Sequence, residues 1–358
     1  MKRIVLIFLF LVIGLVCFYF FKPQLDQKIP QKIPKLNEQE QTAAQEKNAS
    51  TQMPKNISPN KTLSETKTEN KPVQEPMQKY QRQDLNFLKF VSSENCLYFL
   101  DKQEIEKLRA LNINGIRVCP LYRISQNGIL EEEVPEFFIT DLIHKAHNAG
   151  FAVFLEINAG GKPTETGQPE FRYKSLEDIN KLYDIAYYWA KIAEKENVEF
   201  FSPLNEPNLM FTDENLVNMW ISRTKDLAQV FSGQLVLKFA DIGPETVENI
   251  QHYDYLAFDI MWGDAEYNEL KSHLELAVKK GNYLKKKYNL KGFFFGELGA
   301  ERSTVNKPTQ AKIFKTILET TWEKVDGYCF LGWSDLEFRF KDNDEAINII
   351  KKWYAKRS

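Results

Sequence analysis

Cysteine and histidine are scarce in this 358-residue chain, with four of each. Cys17 lies in a long apolar N-terminal run, Cys119 and Cys329 fall inside strand-like apolar runs where a small buried thiol fits, and Cys96 has no obvious partner. That spread is neither a disulfide framework nor a zinc pattern. His144 and His147 share a helical segment, His252 precedes an apolar run and His273 sits on another helical segment, so no metal site, catalytic histidine cluster or organic cofactor is expected. An excess of one charge is lacking too: 47 Lys and Arg stand against 49 Asp and Glu, interspersed, for a net charge of −2. This argues against a nucleic-acid surface. No Gly-rich phosphate turn follows an early strand, as a doubly wound nucleotide fold would require.

What is present is unevenly distributed. Behind Lys2 and Arg3, residues 4–21 are apolar apart from Gly14, until Lys22-Pro23 ends the run. That is about the minimum for a membrane span and longer than most signal-peptide cores. No small-x-small cleavage site follows, so residues 1–22 read as an uncleaved signal anchor, with a cleaved signal peptide as the alternative. The basic N-terminus favours export of the C-terminal bulk. The protein is therefore expected to be membrane-anchored and extracytoplasmic, at the cell surface or facing the periplasm, or secreted if the segment is cleaved. Residues 23–83 are rich in Gln, Lys, Glu, Asn, Thr and Pro, and bury too little apolar surface to offset ordering entropy. They read as a disordered tether.

Residues 84–358 alternate between short apolar runs and helical spacing. The runs begin near Phe87, Gly115, Phe151, Val198, Gln234, Tyr253, Lys291 and Asp326. Between them, Ile105, Leu108 and Leu111 make one helical stripe, and Ser175 with acidic residues opens a long helix. Eight strands alternating with about eight helices predict an α/β fold, a single (β/α)8 barrel. Continuous apolar strands suit a parallel sheet covered on both faces. A monomer is expected.

In such a barrel the chemistry lies where strands end, so polar residues that close an apolar run are informative. These are Arg117 and Tyr122 at strand two, Glu156 and Asn158 at three, Asn205 and Glu206 at four, and Lys238 and Asp241 at five. Asp259 and Trp262 follow at six, Glu297 at seven, and Trp333 and Asp335 at eight. Strands four and seven face each other across a barrel, which sets Glu206 opposite Glu297. Two carboxyl groups ~5–5.5 Å apart, one protonated and one ionised, are what a retaining glycosidase needs. Trp333 and Trp262 could offer the aromatic shelf that a sugar ring prefers.

Asn205-Glu206-Pro207 after the fourth strand, Gly296-Glu297-Leu298-Gly299 after the seventh and Gly332-Trp333 after the eighth together resemble clan A of the glycoside hydrolases, the retaining (β/α)8 superfamily of cellulases, β-mannanases and β-galactanases. The likeness spans roughly residues 85–355. It implies Glu206 as acid/base, Glu297 as nucleophile, Asn205 as the ligand of a sugar 2-hydroxyl and Trp333 as a sugar platform. It also implies Arg117 as the strand-two arginine that favours an ionised nucleophile. Asp259 to Trp262 resemble the strand-six end of mannanase-like members. Two positions depart from the clan: Met261-Trp262 stands where many members carry a strand-six tyrosine, and Glu156-Ile157-Asn158 where the cellulase branch carries a histidine. The expected activity is hydrolysis of a polysaccharide or oligosaccharide, β-mannan-like or another β-glycan, with Asp259 and Asn158 among the substrate-binding residues. A glycan-binding barrel with weakened turnover and an envelope transglycosylase are the alternatives.

Overall fold

The computed structural model describes residues 80–93, 100–124, 130–160, 172–263, 267–302, 304–334 and 338–357, with backbone alone for 267 and 268. The expected anchor, residues 23–79 of the expected tether, and Asp335 lie outside them. Among the described residues no helix is long and apolar enough to cross a membrane.

Eight parallel strands close into a barrel in sequence order: β1 (Leu88–Ser92), β2 (Gly115–Val118), β3 (Ala152–Glu156), β4 (Phe200–Ser202), β5 (Gln234–Ala240), β6 (Tyr255–Trp262), β7 (Gly292–Ala300) and β8 (Gly327–Leu331), which pairs back to β1. Strand alternation divides the core in two. Side chains such as Val153, Leu155, Leu237 and Phe258 point outward into the layer beneath the helices, while Phe90, Phe154, Phe200 and Phe294 plug the barrel from inside. Continuing two residues up the inward face, Phe154 is followed by Glu156, Val236 by Lys238 and Ala257 by Asp259. The apolar plug is therefore capped by charge.

Seven multi-turn helices are described: α1 (Lys102–Ala110), α2 (Glu136–Asn148), α3 (Leu176–Lys195), α4 (Glu214–Arg223), α5 (Tyr267–Tyr288), α6 (Lys307–Thr321) and α7 (Asp344–Tyr354). Five of them start on a side-chain cap, as at α3, where Ser175 accepts from the Asp178 amide and Asp178 reaches back to the cap, whereas α2 follows Pro135 without one. Between β5 and β6 the expected helix is absent: residues 241–254 form no helix. Gly243 at φ 70° followed by Pro244 interrupts helical geometry there, and buried Val247 and Ile250 cover the strands instead.

Two further departures concern the ends of the chain's segments. Tyr80 to Gln83, assigned by composition to the tether, are held at the bottom of the barrel: the Tyr80 hydroxyl and the Gln83 amide donate to buried Glu199, and Arg82 pairs with Glu194 at 2.7 Å. Cys119, expected as a buried thiol, is disulfide-bonded, while Cys329 is a free buried thiol.

Candidate active site

Glu206 is delivered by a break in β4. After Ser202 the chain turns, Glu206 adopts a left-handed conformation (φ 48°, ψ 57°), and Pro207 starts a single helical turn, Pro207–Met210. Proline is suited to that first position because its missing N–H would have no partner there. The amides of Leu209 and Met210 close the turn on the Glu206 carbonyl. Asn208 clamps the turn to β5, donating to the Ala240 carbonyl at 3.0 Å and accepting from its amide at 2.9 Å. From the other side Arg172 donates to the carbonyls of Asn208, Leu209 and Phe211. A non-glycine residue held at positive φ costs on the order of 1–3 kcal/mol, so the surroundings over-determine where this carboxyl points.

Glu297 is delivered by a bulge in β7. Phe295 pairs with Phe258 and Glu297 with Asp259, so Gly296 is the extra residue of the register shift. A Cβ at Gly296 would stand 2.6 Å from Lys238 Cδ and 2.8 Å from Asp259 Oδ1. Only glycine leaves those two side chains room beneath the Glu297 carboxylate. One pleat higher, a Cβ at Gly299 would meet Met261 Sδ at 2.5 Å and the Phe338 ring at 2.8 Å. Met261 and Phe338 thus form an apolar ledge above Glu297.

The charges are interlocked. Arg117 Nη1 lies 2.9 Å from Glu156 Oε1 and also contacts Glu297 Oε1. Lys238 Nζ lies 2.5 Å from Glu297 Oε1, 2.7 Å from Asp259 Oδ2 and 3.1 Å from Glu156 Oε2. All five residues are buried. Two cations against one carboxylate oxygen favour the charged form of Glu297. Glu206 differs: part of its surface stays open to solvent, yet protein atoms surround it. Burial pushes its carboxyl above the usual range, Glu156 adds to the rise, and Lys238, a hydrogen bond with Asp259 and Arg117 oppose it without cancelling it. Asp259 is raised well above its ordinary value, by burial first and then by repulsion from Glu206 and Glu156, with Lys238 opposing. With both acids ionised, neither Asp259 oxygen finds an aligned donor. A proton between Glu206 and Asp259 supplies one, so the pair titrates as a unit.

Of the residues singled out from sequence, Glu206, Glu297, Arg117, Asp259 and Asn205 converge at this mouth. Asn205 is buried and its Oδ1 has no hydrogen-bond partner, which leaves an acceptor for a ligand hydroxyl. Asn158 sits at the rim in a small sheet over the mouth, its strand Asn158–Ala159 pairing with Leu121–Ile124. Trp333 does not take the platform position: it is 2% exposed, its Nε1 donates to Glu104 on α1 at 2.9 Å, and its ring packs on Phe340. It faces the layer between strands and helices. Trp262 also turns away, towards His273 on α5 at 5.7 Å, because alternation along β6 sends Asp259 and Met261 inward and Trp262 outward. Sequence reasoning underrated Lys238 and Glu156, which it had at strand ends as bare charges. Met261 stood out in the sequence only as a departure from the clan, and nothing in the spacing pointed to Phe338 or Arg172. Among the described residues no group of histidine, cysteine or acidic side chains could hold a metal ion.

No family profile matches the chain, and no curated protein resembles it in sequence. Solved structures do resemble it in fold. A GH113 β-1,4-mannanase superposes with a TM-score of 0.59 at 17% identity, over 76% of this chain and 100% of that one. The GH113 β-mannanase of Alicyclobacillus acidocaldarius gives 0.60 at 13% identity, over 77% of this chain and 99% of that one. A GH5_18 protein of Bifidobacterium longum gives 0.54 at 12%, covering 76% and 79% respectively.

Proposed function

We propose that the chain is a retaining β-glycosidase of the clan A type, working by double displacement with Glu297 as nucleophile and Glu206 as acid/base. The observation that carries this reading is the electrostatic contrast between two glutamates presented at the ends of β4 and β7. One touches two cations; the other is buried beside carboxylates, and that burial raises its carboxyl above the usual range. In the first step a Glu297 oxygen bonds the anomeric carbon while the bond to the leaving oxygen breaks and Glu206 gives that oxygen its proton. Water then loses a proton to Glu206 and opens the glycosyl ester. Asn205 Oδ1 accepts from a sugar hydroxyl beside the reacting carbon, and the Met261–Phe338 ledge takes the apolar face of a ring.

A β-mannan-like glycan is the proposed substrate, supported by the mannanases among the similar folds and by the strand-six likeness. Attachment to the outer face of a membrane is proposed for the whole chain. Its supports are the apolar run at residues 4–21 behind Lys2 and Arg3, and the disulfide at Cys119, a bond of oxidising compartments.

The test is a panel of aryl β-glycosides that includes the β-mannoside. Wild type should release aglycone from at least one, Glu297→Ala should release none, and Glu206→Gly should turn over activated substrates faster with azide, giving a β-glycosyl azide. Absence of release from every donor by folded wild type overturns the enzyme reading.

A further inference from the structure

Lys238 is wholly buried, yet it serves carboxylates from three strands at once: Glu156 on β3, Asp259 on β6 and Glu297 on β7. A lone contact with Glu297 would suffice to hold a nucleophile. The additional contact with Asp259 matters because Asp259 in turn meets Glu206. A continuous chain of contacts therefore runs from Glu206 through Asp259 and Lys238 to Glu297. We infer that Lys238 and Asp259 are positioning residues that bridge the two glutamates, so that the charge on Glu297 governs how firmly the Glu206 end holds its proton. The inference rests on the double displacement proposed above.

The charged groups that face the bridge are Arg117 on β2, Glu156 on β3, Glu206 after β4 and Glu297 on β7. Cys329 on β8 also lies near, but burial pushes its thiol up to about 12 and it stays neutral. In the resting state two cations stand against Glu156, Glu297 and one negative charge on the proton-sharing pair. When Glu297 becomes an ester its charge disappears, and the proton that leaves with the departing oxygen puts a second negative charge on Glu206–Asp259. The two cations then face Glu156 and a fully ionised pair, so the total is unchanged. Lys238 loses one anionic partner as Asp259 becomes fully anionic, and the ammonium stays in place. In the second step water gives its proton to the pair, the ester opens, and Glu297 regains its charge.

The experiment compares the pH dependence of kcat/KM for wild type, Lys238→Met, Lys238→Arg and Asp259→Asn on the best aryl glycoside, with thermal melts to confirm folding. The basic limb reports the proton on the Glu206 end. Lys238→Met removes a cation and should move that limb up by about one pH unit, and the acidic limb with it. Asp259→Asn leaves Glu206 to hold a proton alone and should move the basic limb down by about as much. Lys238→Arg should restore the limbs towards wild type. A merely structural role lowers activity or the melting midpoint without displacing the limbs in opposite directions, and that result overturns the bridge. Should Lys238→Met fail to fold, an unmoved basic limb in folded Asp259→Asn overturns it alone. Wild type inactive on every donor removes the glycosidase reading and the bridge together, whereas active wild type with unmoved limbs removes only the bridge.

Discussion

Glu156→Gln tests the charged cap of the barrel with a change of one atom. Glu156 is fully buried and each oxygen serves a different cation, Arg117 at 2.9 Å and Lys238 at 3.1 Å. The amide that replaces it turns an N–H donor towards one of them. Removing one partner of a buried ion pair costs about 3–5 kcal/mol. Since Arg117 and Lys238 both still reach Glu297, the lower end is expected, about 3 kcal/mol. At roughly 2–4 °C per kcal/mol for a domain of this size, the melting midpoint should fall by about 6–12 °C. Differential scanning calorimetry near neutral pH measures it. Glu177→Gln is the control: its pair with Lys181 is exposed on α3, and its loss should leave the midpoint unchanged within error. If the two variants melt alike, the reasoning that the cap holds the barrel top together is refuted.

Three other outcomes follow from the same geometry. Glu206→Gly removes both the backbone strain at φ 48° and a buried carboxyl, so its midpoint should rise while activity on unactivated substrates is lost; a lower midpoint contradicts the strain account. For the Glu206–Asp259 pair, whose folded-state pKa is raised, the stabilising contribution is present at low pH and disappears as pH climbs through the folded value. Asp259→Asn should therefore gain on wild type in midpoint from about pH 5 to about pH 8, and a gain that shrinks instead would reverse the sign of the argument. Gly296→Ala places a methyl against Lys238 and Asp259 in the packed cap, whereas Gly299→Ala meets Met261 and the Phe338 ring, which both reach solvent and have room to shift. Calorimetry should find the first clearly more destabilising than the second, with equal losses arguing against the bulge as the reason for glycine at 296.

The alternation of apolar runs and helical spacing determined the barrel, because each parallel strand must be apolar on both faces and each crossover must be long enough to hold a helix. It overreached between β5 and β6, where Gly243-Pro244 breaks the helix that counting supplied. The motif around Glu206 was legible because a core strand that ends on Asn-Glu-Pro has few structural uses. Glu297 was legible for the same reason.

Tertiary structure alone decided which side chains meet. Trp333 and Trp262 follow apolar strands as an aromatic shelf would, yet both rings turn outward, Trp262 through the pleat of β6 and Trp333 beyond the end of β8, where Gly332 at φ 97° breaks the alternation. Lys238, Glu156 and Asp259 are separated by tens of residues, and no local pattern joins them. Closure of the barrel brings three strands' inward positions onto one ammonium, and the bulge at Gly296 sets Glu297 beside them. Sequence fixes which face of a strand a residue occupies through a local period of two; who stands opposite depends on strand register around a closed ring, which is a property of the whole fold.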